Sequence, residues 1–411
     1  MPSITSIRGR ICYNSRGQRS VEVDVITDQK YLGRACAPSG ASVGKHEAVS
    51  FPRGGVEEAL TILNSNSGRF VGLDASDPKI VYDTLRSIDS TPNYSKIGGS
   101  VAYSLTIAAA HAAARALDTP MFKMLGKNGS RFPIPLGNVL GGGAHAGPST
   151  PDIQEFLVVP VGAKSIREAL EMNFDVHREL RNVLERKDKD FTYGRGDEGA
   201  WAPRMNNIQA LDAVEKACNN CGHKLGKDVA MGVDFATSSL WNPKSEVYVY
   251  ARTGRKLTPA RQLQYIIDII KDYKLIYAED PVHEEAFDDM AELTKKFKNV
   301  YITGDDMLVT NTGRLLEAVK HGACNAAILK VNQAGSLYDA LDFADNAKKN
   351  NIRLVTSHRS GESTDAHIAH IAIATGSKMI KTGVLGGERV AKLNELVRLS
   401  ETGLLDGMAE V

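Results

Sequence analysis

The stretch KLIYAEDP (274–281), with NVYITGDD (299–306) and AAILKVNQ (326–333) after it, decides the fold of this chain. Each is a short apolar run that ends in charged or polar residues, a pattern typical of buried parallel strands. Amphipathic helical patterns separate such runs, for example PARQLQYIIDIIKDY (259–273) and TGRLLEAVKHG (312–322). Repetition of this unit over about 250 residues predicts a closed α/β barrel.

The same rhythm continues on both sides of that stretch. Further buried parallel strands are predicted at IQEFLVVP (153–160), DVAMGVDFA (228–236), IRLVTSHR (352–359) and KMIKTG (378–383). An open, doubly wound sheet is the alternative, but no GxGxxG motif follows the first strand, which disfavours it.

The first part of the chain has a different pattern. The segments 4–17 and 20–27 alternate like an antiparallel strand pair, and residues 56–128 have helical periodicity. The Gly- and Pro-punctuated segment GKNGSRFPIP (126–135) then marks a boundary. We therefore predict an N-terminal α+β capping domain at 1–130 and a barrel catalytic domain at 131–411.

Bulk properties exclude several classes of protein. The chain has 411 residues, with 50 Lys+Arg against 49 Asp+Glu, so its net charge of +1 gives no general attraction to nucleic acid or an anionic membrane. No apolar run reaches the roughly 18 residues of a membrane span, and the first residues lack a signal-peptide core. Five scattered cysteines favour a reducing cytoplasm, and the lone pair Cys218 and Cys221 is expected to be two inert thiols on a helix or turn.

Chemistry-bearing residues follow the predicted strands at intervals of 23 to 45 residues, about one βα unit each. In a parallel barrel these strand ends meet at one face, where active sites lie. A single such residue would be a solvated strand-end charge, but a whole series in register favours a site. The residues are Asp234, Glu279, Asp305, Lys330, His358-Arg359-Ser360 and Lys381.

Three of these strand ends carry carboxylates. Asp234, Glu279 and Asp305 would repel one another unless a cation lay between them. Oxygen ligands alone point to a hard ion, and magnesium fits because it retains waters and accepts substrate oxygens. Ion pairs with Lys330 and Lys381 without a metal are the alternative.

Motifs along nearly the whole chain resemble those of the enolase family, the phosphopyruvate hydratases of glycolysis. Each motif is weak alone, but their order and spacing are specific. They are SRG (15–17), SGAS (39–42), GGGAHAG (141–147), QEF (154–156), GDEG (196–199), EDP (279–281), GDD (304–306), LKVNQ (329–333), SHRSGE (357–362), IKTG (380–383) and GERVAKLNELVR (387–398).

The resemblance implies an enolase-type (β/α)8 barrel and reversible dehydration of 2-phospho-D-glycerate to phosphoenolpyruvate. It implies a first Mg²⁺ on Asp234, Glu279 and Asp305, and a second that Ser42 joins when substrate binds. Lys330 matches the family's base, Glu198 the acid that protonates the departing hydroxyl, and Glu155 that acid's carboxylate partner. The positions matching residues around the substrate's carboxylate and phosphate are His145, Gln154, His358, Arg359, Ser360 and Lys381.

The two catalytic roles set requirements on pKa values. A base lysine must be neutral, and two cations with Lys381 nearby are expected to lower the pKa of Lys330. An acid must be protonated, and Glu155 is expected to raise the pKa of Glu198. The general pattern of a lysine base beside one or two magnesium ions is one already known for this superfamily.

The chain departs from the family pattern at its rim and at a subunit contact that the family implies. Asn14 stands where aspartate is usual, Gln18-Arg19 replace Asn-Pro, and Gly386-Gly387 stand where Arg-Ser is common. Every catalytic position is filled, and a homodimer or larger homo-oligomer without nucleic-acid partners is expected. Two alternatives remain: a lyase of the same superfamily acting on another acid, and a non-catalytic scaffold that kept the fold.

Overall fold

The computed structural model describes residues 1–40, 44, 46–126 and 129–411. Its N-terminal part begins with an antiparallel sheet of β1 (Ile4–Tyr13), β2 (Arg19–Thr27) and β3 (Tyr31–Cys36), in that order. Helices then cover one face of the sheet. They are α1 (Gly55–Asn66), α2 (Pro78–Ile88), α3 (Gly99–Ala116) and α4 (Met121–Met124). The predicted strand pair and helical region are confirmed, and β3 is an additional strand.

Small side chains let α3 lie close to the sheet. A Cβ on Gly33 of β3 would come within 2.0 Å of the Ala108 carbonyl oxygen of α3, so the close approach of the helix requires glycine at position 33. The Ser104 hydroxyl donates to the Val21 carbonyl at 2.9 Å, which pairs the helix with β2 as well. The alanine-rich segment is therefore a buried helix whose composition follows from its close packing.

The second part of the chain is the barrel. Its elements in chain order are β4 (Ile134–Gly141), β5 (Glu155–Val159), α5 (Ile166–Lys187), α6 (Asn207–Asn220), β6 (Ala230–Asp234), β7 (Trp241–Asn242), β8 (Val247–Tyr250), β9 (Arg255–Leu257), α7 (Pro259–Asp272), β10 (Tyr277–Glu279), α8 (Phe287–Lys296), β11 (Tyr301–Gly304), α9 (Thr312–His321), β12 (Ala326–Leu329), α10 (Val331–Ala334), α11 (Leu337–Lys349), β13 (Arg353–Ser357), α12 (His367–Ala374), β14 (Met379–Lys381) and α13 (Gly387–Ser400).

Eight of these strands close into a barrel in the order β10-β11-β12-β13-β14-β4-β5-β6, while β7, β8 and β9 form a separate small sheet. The predicted barrel is therefore confirmed. Its interior is filled by apolar side chains that alternate with those facing the helices, among them Leu136, Leu157, Tyr277, Ile328 and Val355.

One strand runs in the direction opposite to the one expected. β5 pairs antiparallel with both β4 and β6, so the prediction that IQEFLVVP is a parallel strand is wrong. Direction cannot be inferred from a short apolar run, whose pattern is the same either way. The reversal places Glu155, the first residue of β5, beside Asp234, the last residue of β6.

Several helices begin and end at residues suited to those positions. The Ser165 hydroxyl accepts from the Glu168 N–H at the start of α5, and Asn206 with Gln209 forms a capping box at α6.

Cys218 lies buried in α6 and Cys221 follows its end, both as free thiols. Among the described residues, every helix is too short or too polar to cross a lipid bilayer.

Candidate active site

The mouth of the barrel opens into a cavity of about 420 Å³. Residues from the cap loop, from β5 and from the ends of several barrel strands line it. The chemistry-bearing lining residues are Glu47, His145, Gln154, Glu155, Glu198, Asp234, Asp280, Asp305, Asp306, Lys330, Gln333, His358, Arg359, Ser360 and Lys381.

Strand register brings three carboxylates into one row. Glu155 of β5 pairs with Asp234 of β6, and Asp234 pairs with Glu279 of β10. The Lys381 ammonium at the end of β14 lies 2.8 Å from Asp234 Oδ2, 2.7 Å from Glu279 Oε2 and 3.2 Å from Glu155 Oε2. Burial lowers the pKa of Lys381, but these carboxylates outweigh it and hold that pKa well above its usual range.

Lys381 alone does not offset the burial of the Glu279 carboxyl and the negative charge around it. Burial, then the negative charge of Asp234, raises the pKa of Glu279 to about 8. Its Oε2 accepts from the Tyr277 hydroxyl at 2.7 Å, whereas its buried Oε1 has no hydrogen-bond partner among the described residues. A buried carboxylate oxygen without a donor, beside a second carboxylate, suits a hard cation. The residues present therefore fit the magnesium that the sequence predicts.

Asp305 lies at the end of β11 and pairs with Lys330, which follows β12. Its other oxygen accepts from the Gln333 amide at 3.1 Å. Burial lowers the pKa of Lys330, but Asp305 outweighs it, so that pKa is raised. The expected lowering depends on bound cations that would neutralise Asp305, so it stays a prediction for the metal-bound site.

Asp280 holds the backbone that carries Asp305. Its two carboxylate oxygens accept from the Asp305 N–H at 2.9 Å and the Asp306 N–H at 2.8 Å. Side-chain oxygens of Asp280, Asp305 and Asp306 all lie within 4.8 Å of one another. This is a tighter acidic group than the predicted set of Asp234, Glu279 and Asp305, but Asp280 already uses both oxygens on the backbone.

Glu198 occupies a strained turn. It has φ of +69° and Gly199 has φ of +77°, so two consecutive residues are left-handed. A Cβ on Gly199 would also approach the Leu385 carbonyl oxygen to 2.3 Å, which makes glycine necessary there. The turn buries Glu198, whose Oε2 accepts from the Asn138 amide at 2.9 Å.

Two histidines surround Glu198. His358 Nε2 lies 3.0 Å from Glu198 Oε1, and His145 Nδ1 lies 3.6 Å from it and 3.3 Å from Glu155 Oε1. Burial lowers the pKa of His145, but the two glutamates outweigh it and raise it to about 9. The two glutamates therefore favour the protonated form of His145.

The pKa values of the two glutamates differ from the expectation. Burial raises the pKa of Glu198, but His358 and His145 outweigh it and hold that pKa well below its usual range. Burial and the charge of Glu198 raise the pKa of Glu155 instead. The expected rise at Glu198 is wrong for the substrate-free site, because its nearest neighbours are histidines.

Arg359 joins the barrel to the cap. Its Nη1 lies 3.0 Å from Glu47 Oε2 and donates to Asn332 Oδ1 at 3.2 Å. Backbone bonds between Ser39 and Gly361, at 2.8 and 2.9 Å, hold the two loops together. The neighbouring Ser360 hydroxyl is buried and has no partner among the described residues.

Two predicted positions remain, Gln154 and Ser42. Gln154 lines the cavity and its amide donates to Asp234 Oδ2 at 3.2 Å. Ser42 lies outside the described residues, so its predicted contact with a second magnesium stays a prediction.

Sequence reasoning missed several residues that hold the site. Asp280 and Gln333 belong to the motifs EDP and LKVNQ, and their polar character close to a predicted site residue was the available signal. Glu47 lies five residues after the SGAS motif and outside every motif that was identified. Asn138 gave no signal, because β4 was not identified as a strand. Arg389 and Lys392 of α13 are buried cations in a helix whose sequence is typical of a solvated surface.

The fold and this site define a class: a barrel enzyme with a buried acidic cation site, a lysine and a carboxylic acid facing one cavity. Comparison with known proteins agrees. The description "Enolase, N-terminal domain" matches residues 4–125, and "Enolase, C-terminal TIM barrel domain" matches residues 130–407.

Curated relatives match the chain over nearly its full length. An enolase from Methanosphaera stadtmanae is 46% identical over 411 residues, 99% of each chain. One from Methanothermobacter thermautotrophicus is 44% identical over 99% of each chain, and one from Pyrobaculum aerophilum is 41% identical over 95% of each. The chain belongs to the enolase family, and its activity is that of a phosphopyruvate hydratase, a hydro-lyase.

Proposed function

We propose that this chain interconverts 2-phospho-D-glycerate and phosphoenolpyruvate with Lys330 as the base and Glu198 as the acid. The observation that carries the proposal is a single cavity lined by both residues and by the carboxylates Asp234 and Asp305. Dehydration beside a carboxylate needs one group to take the C2 proton and another to protonate the hydroxyl that leaves from C3. The cavity supplies a candidate for each.

The substrate phosphate is assigned to Arg359 and Ser360. Arg359 offers planar paired donors, and the buried Ser360 hydroxyl has no partner among the described residues. Glu47 holds Arg359 before substrate binds, so a phosphate would take the place of that carboxylate. A clamp of this kind favours a phosphorylated acid over the other substrates of the superfamily.

Lys330 takes the C2 proton. It pairs with Asp305 at the cavity wall. As a base it must be neutral, so the proposal requires bound cations to neutralise Asp305 and thereby lower the pKa of Lys330. Lys381 remains charged among its three carboxylates, so it faces the substrate as a cation and not as a base. The carboxylate assigned to substrate C1 would lie near these cations.

Glu198 delivers a proton to the departing hydroxyl. Because His358 and His145 keep it ionised at rest, it must gain that proton in the substrate complex, where the negative substrate raises its pKa. His145, whose Nδ1 lies 3.6 Å from Glu198 Oε1 and whose pKa the two glutamates raise to about 9, is the proposed source of that proton. Glu155 acts through its contact with His145 and with Lys381.

Two magnesium ions per site, the second arriving with substrate, are the proposed cofactor. Asp234, Glu279 and Asp305 would hold the first, and Ser42 would join the second. When bound, magnesium neutralises these carboxylates and the charge that develops on the enolate. Asp305→Ala is expected to lose magnesium affinity in calorimetric titration while its circular dichroism spectrum remains that of the wild type.

An absorbance assay for phosphoenolpyruvate formation tests the proposed reaction. Purified protein should convert 2-phosphoglycerate in the presence of magnesium, lose the activity in EDTA, and regain it when magnesium is added back. Full activity in metal-free buffer would contradict the metal proposal. No turnover under any of these conditions would favour the scaffold alternative.

Domain boundaries, assembly and location are also proposals. We place the capping domain at 1–130 and the catalytic barrel at 131–411, in a cytoplasmic homodimer or larger homo-oligomer. The scattered free cysteines support a reducing compartment. Sedimentation velocity at micromolar protein would test the assembly, and a monomer alone would contradict it.

A further inference from the structure

Arg389, in the first turn of α13, is a fully buried arginine outside the predicted site. Its Nη1 lies 2.9 Å from His358 Nδ1 and donates to the Arg359 carbonyl oxygen at 2.6 Å. Its Nη2 donates to the Ser360 carbonyl oxygen at 2.6 Å. One guanidinium therefore contacts three consecutive residues of the loop that lines the cavity.

The contact with His358 restricts where that imidazole carries its proton. An arginine side chain has only donors and stays charged in proteins. His358 Nδ1 must therefore accept from Arg389, which leaves the ring proton on Nε2. That nitrogen lies 3.0 Å from Glu198 Oε1, but it makes no hydrogen bond of good geometry among the described residues. Its N–H therefore acts on the carboxylate as a close electrostatic contact.

Burial also acts on His358. The ring is 3% exposed, and burial lowers the pKa of His358 to about 4. The charge of Arg389 lowers this pKa further, whereas the charge of Glu198 raises it. A second proton on Nδ1 would face a guanidinium at 2.9 Å. His358 is thus held neutral and with one defined tautomer throughout the ordinary pH range.

We propose that Arg389 is a positioning residue for the acid half of the site, which fixes the tautomer in which neutral His358 presents a protonated Nε2 to Glu198. The inference rests on the proposed role of Glu198 as the acid. With the other tautomer, His358 would present a lone pair to the carboxylate and repel it. A wrong histidine tautomer lowers turnover by up to about 10⁴-fold in a well-studied hydrolase.

Lys392 provides a matched control on the same helix. It is also buried, and its ammonium donates to the Ser363 and Asp365 carbonyl oxygens at 2.9 and 2.7 Å. It therefore supports the same loop one turn further along, but the structure gives it no hydrogen bond to His358 among the described residues. Lys392→Met should weaken the loop without changing the tautomer.

The experiment is ¹⁵N NMR of the full chain labelled at histidine, which distinguishes protonated from unprotonated ring nitrogens. His358→Gln identifies the His358 signals. The wild type should show a protonated Nε2 and an unprotonated Nδ1, and Arg389→Lys, which keeps a donor, should retain this form. Arg389→Met should shift His358 toward the Nδ1-protonated form and lower kcat by about 10- to 100-fold with little change in KM.

Each outcome separates the inference from the proposed function. A wild-type His358 protonated at Nδ1, or an unchanged tautomer in Arg389→Met, would overturn the inference. If Arg389→Met does not fold, the wild-type spectrum and Glu198→Gln still decide it, because the tautomer should persist without the Glu198 charge. An altered tautomer with full turnover would instead count against the acid role of Glu198. Equal losses of kcat in Arg389→Met and Lys392→Met would mean that Arg389 only supports the loop and does not act through the tautomer of His358.

Discussion

At the scale of single residues, the proposed function has Arg359 exchange Glu47 for the substrate phosphate. In the substrate-free site it pairs with Glu47 at 3.0 Å, and both side chains are only 6% exposed. Breaking a buried pair costs much when one charge is left alone, but a phosphate that replaces Glu47 keeps the guanidinium satisfied. The pair thus keeps the guanidinium satisfied in the substrate-free site.

Replacing Arg359 by lysine tests the planar fork while keeping the charge. We expect kcat/KM to fall at least about tenfold, or about 1.4 kcal/mol, because an ammonium cannot donate two parallel hydrogen bonds to one phosphate. Steady-state kinetics with 2-phosphoglycerate measures this, with the exposed Arg178→Lys as control. An unchanged value would mean that the phosphate binds elsewhere.

Single residues also show where sequence reasoning works and where it stops. Asp234, Asp305, Lys330 and Lys381 could be predicted to share a cavity wall, because each lies at or directly after the end of a barrel strand. The ionisation of Glu198 could not, because it depends on which side chains come within 3 to 4 Å after folding. That proximity is set by the turn at Gly199 and by the loop after β13.

At the scale of elements, α5 fixes the turn that carries Glu198. His177 of α5 donates from Nε2 to the Gly199 carbonyl oxygen at 2.9 Å and stacks on Trp201, with ring centroids 4.7 Å apart. Burial lowers the pKa of His177 to about 4. Burial therefore favours the neutral form of the histidine that holds the turn.

This predicts a pH dependence of stability. Between the unfolded pKa near 6.5 and about 4, unfolded His177 binds a proton that folded His177 does not, so stability falls as pH falls through this window. The effect amounts to at most about 3 kcal/mol. Urea unfolding at pH 7 and pH 4.5 should show wild type losing more stability than His177→Gln, which keeps a donor. Equal losses would contradict the assignment.

Element direction was the least predictable feature of the fold. A buried strand has the same apolar pattern whether it runs parallel or antiparallel to its neighbours, so periodicity could not give the direction of β5. The connection between β4 and β5 does indicate the direction of β5. Its residues, 142–154, are too few and too glycine-rich to hold the helix of a parallel crossover. β4 was missed because Pro133, Pro135 and its glycines are typical of a loop.

At the scale of the whole molecule, cap and barrel share one hydrophobic core. The largest cluster of buried apolar side chains runs from Val21 of the cap sheet to Leu396 of α13. Leu337 of α11 is fully buried in it, and its N–H donates to the Thr106 hydroxyl of α3 at 3.0 Å. Neither part can lose its packing without exposing the other.

We therefore expect cap and barrel to unfold together. Calorimetry should give a single transition for the wild type, and Leu337→Ala should move that whole transition to lower temperature at a cost of about 2–5 kcal/mol. The exposed Leu316→Ala serves as a control with little effect. Two separate transitions, with only one moved by Leu337→Ala, would show that the shared core does not couple the two parts.

The division of labour between Lys330 and Glu198 is the central claim, and hydrogen exchange at C2 tests it most directly. NMR of 2-phosphoglycerate in D₂O with magnesium follows exchange and turnover in the same sample. Lys330→Ala should stop C2 exchange, whereas Glu198→Gln should block turnover yet permit exchange, each loss being at least about 10²-fold. Exchange at the wild-type rate in Lys330→Ala, together with its loss in Glu198→Gln, would contradict both assignments and reverse the roles.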